Sequence, residues 1–446
     1  MAHYDLILKN ATITTYHEEK NKVLSEKTDV TVHGGKIVSV SSSTKDTADR
    51  VLDLTGLSLL PGIIDSQVHF REPGMTHKED LESGTRAALM GGITSIFEMP
   101  NTLPTTTTQE LFEQKLQLAK NRAHTNYAFF IGAASDNTDQ LNTLELLPGC
   151  SGVKVFMGSS FGNLLIDDEA ILKKVLQNGK RRVIIHAEDE ARLKERKQLA
   201  IEAAHARAHH IWRDEESALI ATKKVIQHAE HYNRPVHILH VSSAEEMAFL
   251  KNKKDIATVE ILPQYLTLSA PECYERLGTL AQQNPPIRDQ RHLEFLWKAV
   301  NDGTVDVIGS DHAPHTLEEK NKPYPQSPSG VPGVQTLVPL MLHHVHQQKL
   351  SLEKFVELTT ENVRKTFGVR GKGRIEIGYD ADFTVVDLKR TEEVKKSWLQ
   401  SKANWSPFEG MKLTGWPVMT ILNGEICMQD GKIIKAHAGQ SVHFQT

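Results

Sequence analysis

Apolar residues in the middle of the chain form eight short runs, and segments with helical spacing lie between many of them. The runs are SLLPGIIDSQVHF, GITSIFEMPN, NYAFFIGAAS, GVKVFMGSS, RRVIIHAED, PVHILHVSS, IATVEILPQ and VDVIGSDHAPH. The intervening segments include HKEDLESGTRAALMGG, EESALIATKKVIQHAEHY and DQRHLEFLWKAVNDG. Nearly continuous apolar strands that alternate with helices are typical of a parallel sheet covered by helices. The pattern predicts a (β/α)8 TIM-type barrel over residues 61–367.

The two ends of the chain have a different pattern. Short β-type runs broken by Asn, Gly and Asp occupy residues 1–60, and they return after residue 368, including the closing SVHFQ. The termini of a domain often lie close together. We therefore expect residues 1–60 and 368–446 to form one composite β-sandwich domain. The predicted fold class is α/β, a barrel with a small β-sandwich domain built from both termini.

Composition excludes several classes of protein. The 446 residues are 39% hydrophobic and 24% charged, with a formal net charge of -4, which offers no basic face for nucleic acid. The three cysteines lack CxxC spacing, which argues against a disulfide framework and a cysteine zinc site. Neither a signal sequence nor an apolar run long enough to span a membrane is evident. We expect a cytoplasmic protein that binds neither nucleic acid nor membrane.

Chemically active side chains stand at the ends of the predicted strands. The residues in these positions are His69, Asn101, Lys154, His186, His240 and Asp311. A barrel gathers the carboxyl ends of its strands around one mouth, where the catalytic residues of barrel enzymes lie. Each residue alone is ambiguous, because histidines also serve packing and a lone aspartate also caps helices. Their joint placement predicts a single metal site.

Lys154 is the least expected of these residues, because it lies inside the apolar run GVKVFMG. Burying an ammonium group costs several kcal/mol unless the group is paired or neutralised. Two interpretations are open. The lysine either extends to the rim of the barrel or is carboxylated by carbon dioxide, which would make it an anionic oxygen ligand able to bridge two cations.

The segment DSQVHFREPG, residues 65–74, departs by one residue from a binuclear-metal signature. Two histidines separated by one residue at a strand end point to the same side and reach one cation together. Gln67 stands where the first histidine of such a pair would lie, so His69 supplies the only imidazole of the pair. A carboxamide oxygen is a weaker zinc donor than an imidazole, and this site is expected to bind metal less tightly.

The motifs together resemble the amidohydrolase superfamily, and within it the class I dihydroorotases, over essentially the whole chain. They are REPG, MPNT, VKVFMGSS, HAED, HILHVSS, NPP, DHAPH and GYDAD. The resemblance implies a metal-dependent cyclic amide hydrolase. Its reaction would be the reversible cyclisation of N-carbamoyl-L-aspartate to L-dihydroorotate, a step in pyrimidine (UMP) biosynthesis.

The resemblance also implies roles for individual residues. The implied metal ligands are His69, Lys154 in its carboxylated form, His186, His240 and Asp311, with one or two Zn²⁺ per chain. Asp311 would also transfer protons during catalysis. The implied substrate-binding residues are Arg71, Asn101, Asn284 and His315. Arg71 offers a bidentate fork for a carboxylate, which the rings bound by allantoinases and dihydropyrimidinases lack.

Gln67 leaves three outcomes open in the sequence: two metals with help from Gln67 or Asp65, one metal, or a catalytically silent relative. The alternative functions are another cyclic amidohydrolase of the allantoinase or hydantoinase type and a silent partner of aspartate carbamoyltransferase.

A homodimer is expected from the resemblance. The segment with His205, His209 and His210 is predicted to be a helix face or a loop over the mouth, and residues 318–333 an active-site loop.

Overall fold

The structure is a computed structural model that describes residues 3–158 and 163–445. Ser159 and Ser160, which end the VKVFMGSS motif, lie outside the described residues. The strands of the described part, β1 to β17 in chain order, are His3–His17, Lys22–His33, Lys36–Ser41, Thr47–Asp53, Ser58–Pro61, Ile63–Val68, Ile93–Glu98, Asn126–Gly132, Cys150–Met157, Val183–Ala187, Val236–Ile238, Ala257–Ile261, Val307–Ile308, Phe383–Glu393, Lys412–Leu422, Glu425–Gln429 and Lys432–Ile433.

The helices of the described residues alternate with the central strands. In chain order, α1 to α15 are Leu81–Met90, Gln109–Ala119, Leu141–Leu144, Glu169–Gln177, Glu190–Ala203, His209–Trp212, Glu215–Tyr232, Ala244–Leu250, Pro263–Thr267, Glu272–Leu277, Gln290–Asn301, Leu317–Lys320, Leu337–His346, Leu352–Thr359 and Glu361–Phe367. Side-chain caps define where several of them begin. Asp80, Asp214 and Asp289 each accept a hydrogen bond from a first-turn backbone N–H of α1, α7 and α11.

Strands β6 to β13 form an eight-stranded parallel sheet in which each strand pairs with the next one along the chain. A parallel bridge between Val68 and His312 brings its two edges together, and the His69 N–H donates to the His312 carbonyl at 2.7 Å. Every residue of β6, β8 and β10 is buried, as expected for strands covered on both faces. The predicted barrel is confirmed.

Strands from both ends of the chain form a separate nine-stranded sheet within the described residues. The two ends meet where β5 pairs antiparallel with β14, with Leu59 opposite Val385. The fold class predicted from the sequence is therefore confirmed. The division of the chain at residues 60/61 and 367/368 stays a prediction.

The closing segment SVHFQ was expected to join the terminal sheet, and this expectation is wrong. Ser441 instead bridges to Tyr127 on barrel strand β8, and Phe444 bridges to Val369. Val442 is fully buried in an apolar cluster with Phe97 and other residues at the base of the barrel. Burial of Val442 and partial burial of Phe444 against the barrel favour this position of the segment.

Two further expectations concern cysteines and membranes. Cys150, Cys273 and Cys427 are buried and free. No helix in the described residues has both the length and the apolar character needed to cross a bilayer.

Candidate active site

Ten of the residues that the sequence analysis singled out line one cavity of about 290 Å³. They are Gln67, His69, Arg71, Asn101, Lys154, His186, His240, Asn284, Asp311 and His315. Strands β6, β7, β9, β10, β11 and β13 each end within three residues of one of these residues. The cavity therefore lies at the carboxyl ends of the barrel strands, where barrel enzymes place their active sites.

Three of these residues hold a backbone conformation that non-glycine residues rarely adopt. The φ angles are 64° at Arg71, 37° at His240 and 45° at Asp311. Such left-handed conformations are costly and cluster at functional sites, where surrounding contacts hold them. Each follows a strand end by two or three residues, and each side chain lines the cavity.

His69 faces Asp311 through its Nε2 atom. The Nδ1–H of His69 donates to Asn101 Oδ1 at 2.6 Å, so that Nε2 carries a lone pair when the ring is neutral. Burial lowers the pKa of His69, which favours the neutral ring. Its Nε2 nevertheless lies 3.1 Å from Asp311 Oδ1, an acceptor. Two acceptors this close together are favourable when a cation lies between them.

Gln67 also contacts Asp311, through its amide nitrogen. Its Nε2 donates to Asp311 Oδ1 at 3.0 Å, while its Oε1 is buried without a hydrogen-bond partner in the described residues. In this orientation Gln67 turns its amide N–H, rather than its oxygen, towards Asp311. Weaker metal binding at this position stays a prediction.

His186 and His240 form a second pair of convergent nitrogens. His186 donates from Nε2 to Glu188 at 2.9 Å, which leaves its Nδ1 unprotonated and 2.9 Å from Nε2 of His240. Glu188 is buried, which alone would raise its pKa, but Arg213 and His186 lower the pKa of Glu188 to about 2. The ion pair of Glu188 with Arg213 therefore fixes the ring orientation of His186.

Lys154 is buried, with 1% of its surface exposed, and does not extend to the barrel rim. Its Nζ has no hydrogen-bond partner among the described residues, and burial lowers its pKa to about 7. Lys154 is close enough to lower the pKa of His69, His186 and His240. An amine in this position is available in its neutral form near neutral pH.

Arg71 and His315 lie together at one side of the cavity. Arg71 donates from Nε to the Pro314 carbonyl at 3.2 Å, and its Nη2 lies 3.3 Å from His315 Nε2. Burial lowers the pKa of Arg71 to about 10. Within the described part of the chain, no carboxylate forms an ion pair with this guanidinium. A desolvated guanidinium of this kind favours an anionic ligand.

His209 was missed as a site residue by the sequence analysis. It begins the short helix α6, so a helix is present in this segment as expected, but its ring is fully buried and lies next to Asn284. Its Nε2 lies 3.0 Å from both the Gln283 carbonyl and Asn284 Oδ1, and Nδ1 accepts from the Tyr324 hydroxyl at 3.2 Å. His209 thereby positions Asn284 at the cavity. No local sequence pattern predicts a contact between residues this far apart in the chain.

The loop predicted at residues 318–333 does reach the cavity, through Ser329 and Gly330. The buried ammonium of Lys320 donates to the carbonyls of Gln282, Pro328 and Gly330 at 3.0, 2.9 and 3.0 Å. Gly330 has φ of 140°, and a Cβ atom there would lie 2.3 Å from the Ala313 carbonyl oxygen. The loop is therefore held against the barrel by Lys320 and by a position that requires glycine.

Replacing Lys320 with methionine is expected to lower the free energy of unfolding by about 1 to 3 kcal/mol, because buried carbonyls lose their donor. Urea denaturation followed by circular dichroism measures this change. Lys322→Met, at an exposed position two residues away, is the matched control. Equal stability of the two variants would contradict the assigned role of Lys320.

Comparison with known proteins places this chain in a family. The model of the amidohydrolase family matches residues 58–427. The chain belongs to the amidohydrolase family. Membership confirms the predicted enzyme class and agrees with the expectation of a metal-dependent hydrolase.

Individual relatives show which members of the amidohydrolase family this chain is similar to. A protein of Methanosarcina acetivorans named dihydroorotase is 35% identical, covering 91% of this chain and 89% of its own length. A dihydroorotase of Pyrococcus furiosus is 32% identical, covering 92% of this chain and 91% of its own length. The L-hydantoinase structure from Arthrobacter aurescens superposes with a TM-score of 0.93 at 27% identity, covering 99% of this chain and 100% of its own. The predicted resemblance to dihydroorotases is confirmed by the sequence relatives.

Proposed function

We propose that this protein is a dihydroorotase, which interconverts N-carbamoyl-L-aspartate and L-dihydroorotate in pyrimidine biosynthesis. The observation that carries the proposal is the buried Arg71 guanidinium, which lines the cavity without a carboxylate partner among the described residues. Dihydroorotate has a ring carboxylate that would fill this position. The cavity of about 290 Å³ suits one small ring, since it is at the lower end of ligand pocket sizes.

The runner-up is a hydantoinase or allantoinase, because the L-hydantoinase structure shares the fold so closely. Rings of that class carry no carboxylate next to the amide. Burying Arg71 without an anion would then leave its charge uncompensated in the complex. The sequence relatives named dihydroorotase, which are 35% and 32% identical, also favour the first function.

The donor atoms of the cavity fit a divalent metal site. In the described residues no group of three or more His, Cys, Asp or Glu side chains could hold a metal by itself. The donors come as two pairs, His69 with Asp311 and His186 with His240. Each pair needs a further ligand, and a carboxylated Lys154 would add an anionic oxygen to each. A zinc ion bound there would polarise an amide carbonyl and acidify water.

Residues of this chain would carry out the remaining steps. Arg71 and His315 would bind the ring carboxylate, while the amide groups of Asn101 and Asn284 would orient the ring. Asp311 would accept the proton of the attacking water and transfer it to the leaving ring nitrogen. In the direction of cyclisation the same carboxylate would take the proton from the attacking nitrogen.

Turnover assays with the purified, metal-supplemented protein test the proposal. L-dihydroorotate is expected to be hydrolysed, while hydantoin, allantoin and dihydrouracil are expected to be poor substrates. Turnover of these rings without turnover of dihydroorotate would favour the runner-up. No turnover of any ring, combined with copurification of aspartate carbamoyltransferase, would favour a silent partner. Size-exclusion chromatography with light scattering tests the proposed homodimer.

Gln67→His is expected to increase the zinc content towards two ions per chain, because it restores an imidazole beside His69 and removes the amide from Asp311. Elemental analysis of protein dialysed against dilute zinc measures the stoichiometry. Gln67→Leu is the matched control, since it removes the amide without adding a ligand. Equal metal content in the histidine variant and the wild type would contradict this account of Gln67.

A further inference from the structure

Lys78 contacts the proposed carboxylate pocket but belongs to none of the motifs that marked the site. It precedes α1, and its side chain is 14% exposed. Its ammonium forms an ion pair with Glu319 Oε1 at 3.0 Å and lies 3.1 Å from Nδ1 of His315. Through this second contact, Lys78 reaches the ring that lies beside Arg71.

The partners of His315 assign its protonated nitrogen. A lysine ammonium has three donors and no acceptor, so Nδ1 of His315 must accept from Lys78. In a neutral imidazole the proton is then on Nε2, which lies 3.1 Å from the acceptor carbonyl of Ser329. Burial, with Arg71 and Lys78 nearby, holds the pKa of His315 well below its usual value, so the ring is neutral.

This tautomer leaves two donors side by side. Nη2 of Arg71 lies 3.3 Å from Nε2 of His315, and neither atom accepts a hydrogen bond when Nε2 is protonated. An anionic oxygen that accepts from both would relieve this contact. The carboxylate would replace the Ser329 carbonyl as the acceptor for Nε2–H.

The opposite tautomer is also available within the same surroundings. With its proton on Nδ1, His315 would donate towards Glu319 Oε2, which lies 3.6 Å away, and Nε2 would accept from Arg71. That arrangement engages a donor of Arg71 and leaves Nε2 without a proton to donate to the substrate carboxylate. The ammonium of Lys78 disfavours it, because a protonated Nδ1 would face another donor.

We propose that Lys78 is a positioning residue that holds His315 in the Nε2–H tautomer, so that Arg71 and His315 both donate to the substrate carboxylate. This inference rests on the proposed function, because it takes the carboxylate to be that of dihydroorotate. Lys78 contributes to specificity without contacting the ring itself. Its loss therefore weakens substrate binding and leaves the chemistry at Asp311 unchanged.

Nuclear magnetic resonance of the full chain with ¹⁵N-labelled histidine tests the tautomer directly, since protonated and unprotonated ring nitrogens have well-separated shifts. The His315 signals are assigned by their loss in His315→Gln. We expect Nε2–H in the wild type and in Lys78→Arg, and Nδ1–H in Lys78→Met. A wild-type ring protonated on Nδ1, or an unchanged tautomer in Lys78→Met, would overturn the proposal.

Steady-state kinetics add a second measurement. Lys78→Met is expected to raise KM for dihydroorotate about tenfold with kcat changed less than about twofold, and Lys78→Arg to restore KM. Lys402→Met is the control, because Lys402 binds the carbonyl of Thr76 in the same loop without contacting His315. A fall in kcat with unchanged KM would overturn the proposal. A wild type without dihydroorotase activity would refute the proposed function, while the resonance measurement would still decide the tautomer.

Discussion

Asp311→Asn is expected to lower kcat/KM for dihydroorotate by about 10²- to 10⁴-fold, the usual contribution of a general acid–base group. Asparagine keeps the shape of the side chain but cannot take the proton of the attacking water. In the structure Oδ1 of Asp311 already receives the Gln67 amide at 3.0 Å and faces His69 at 3.1 Å, so the carboxylate is positioned before substrate binds.

Two measurements make this expectation specific. Metal content, determined on the same preparation, separates a loss of proton transfer from a loss of metal. Asp302→Asn, at a helix end away from the cavity, is the control and is expected to change kcat/KM less than about twofold. Asp311→Asn with kcat/KM within about tenfold of the wild type and normal metal content would rule out the proton-transfer role.

Arg71→Met is expected to change the choice of substrate more than any other single replacement. Losing one partner of a buried charge pair costs about 2 to 5 kcal/mol, so kcat/KM for dihydroorotate should fall by roughly 30-fold to several thousandfold. Dihydrouracil, which has the same ring without the carboxylate, should lose no such interaction. The ratio of kcat/KM for the two substrates, measured side by side, reports the contribution of the guanidinium.

Arg71→Lys provides the matched variant for this experiment. It keeps a positive charge but loses the planar fork, and an intermediate loss of dihydroorotate turnover is expected. Equal losses for dihydroorotate and dihydrouracil in Arg71→Met would show that the residue supports the structure of the site rather than the selection of a carboxylate.

The cavity residues at strand ends were predictable because their positions follow from strand periodicity, whereas Arg71, Asn284 and His315 were implied only by the resemblance to dihydroorotases. His69, His186 and Asp311 each end or follow an apolar strand, and a closed parallel barrel leaves the ends of its strands only one place to meet. The sequence also contains a pattern that places Glu188 beside His186, although the sequence analysis did not name Glu188 as a site residue. It follows His186 by two residues at a strand end, so both side chains point to the same side.

Other contacts could not be inferred in this way. Lys78 reaches His315 across 237 residues, and His209, in the four-residue helix α6, reaches Asn284 across 75. No periodic pattern relates the residues of either pair. The path of the closing segment depended equally on tertiary packing, since SVHFQ alternates as an edge strand would. Its apolar side chains, Val442 and Phe444, pack into the apolar cluster at the base of the barrel.

By itself, the sequence determined the barrel, the origin of the second sheet in both termini and the identity of the residues around the cavity. The barrel, the second sheet and the strand-end residues depend on local apolar periodicity and on the shared direction of parallel strands, while the substrate-binding residues were implied by the resemblance to a known family. The tertiary structure alone decided which nitrogen of each histidine faces the cavity, that the Gln67 amide donates to Asp311, and that Lys154 is buried without a partner in the described residues. Hydrogen-bond direction and desolvation arise only when distant residues are packed together, so no local pattern encodes them.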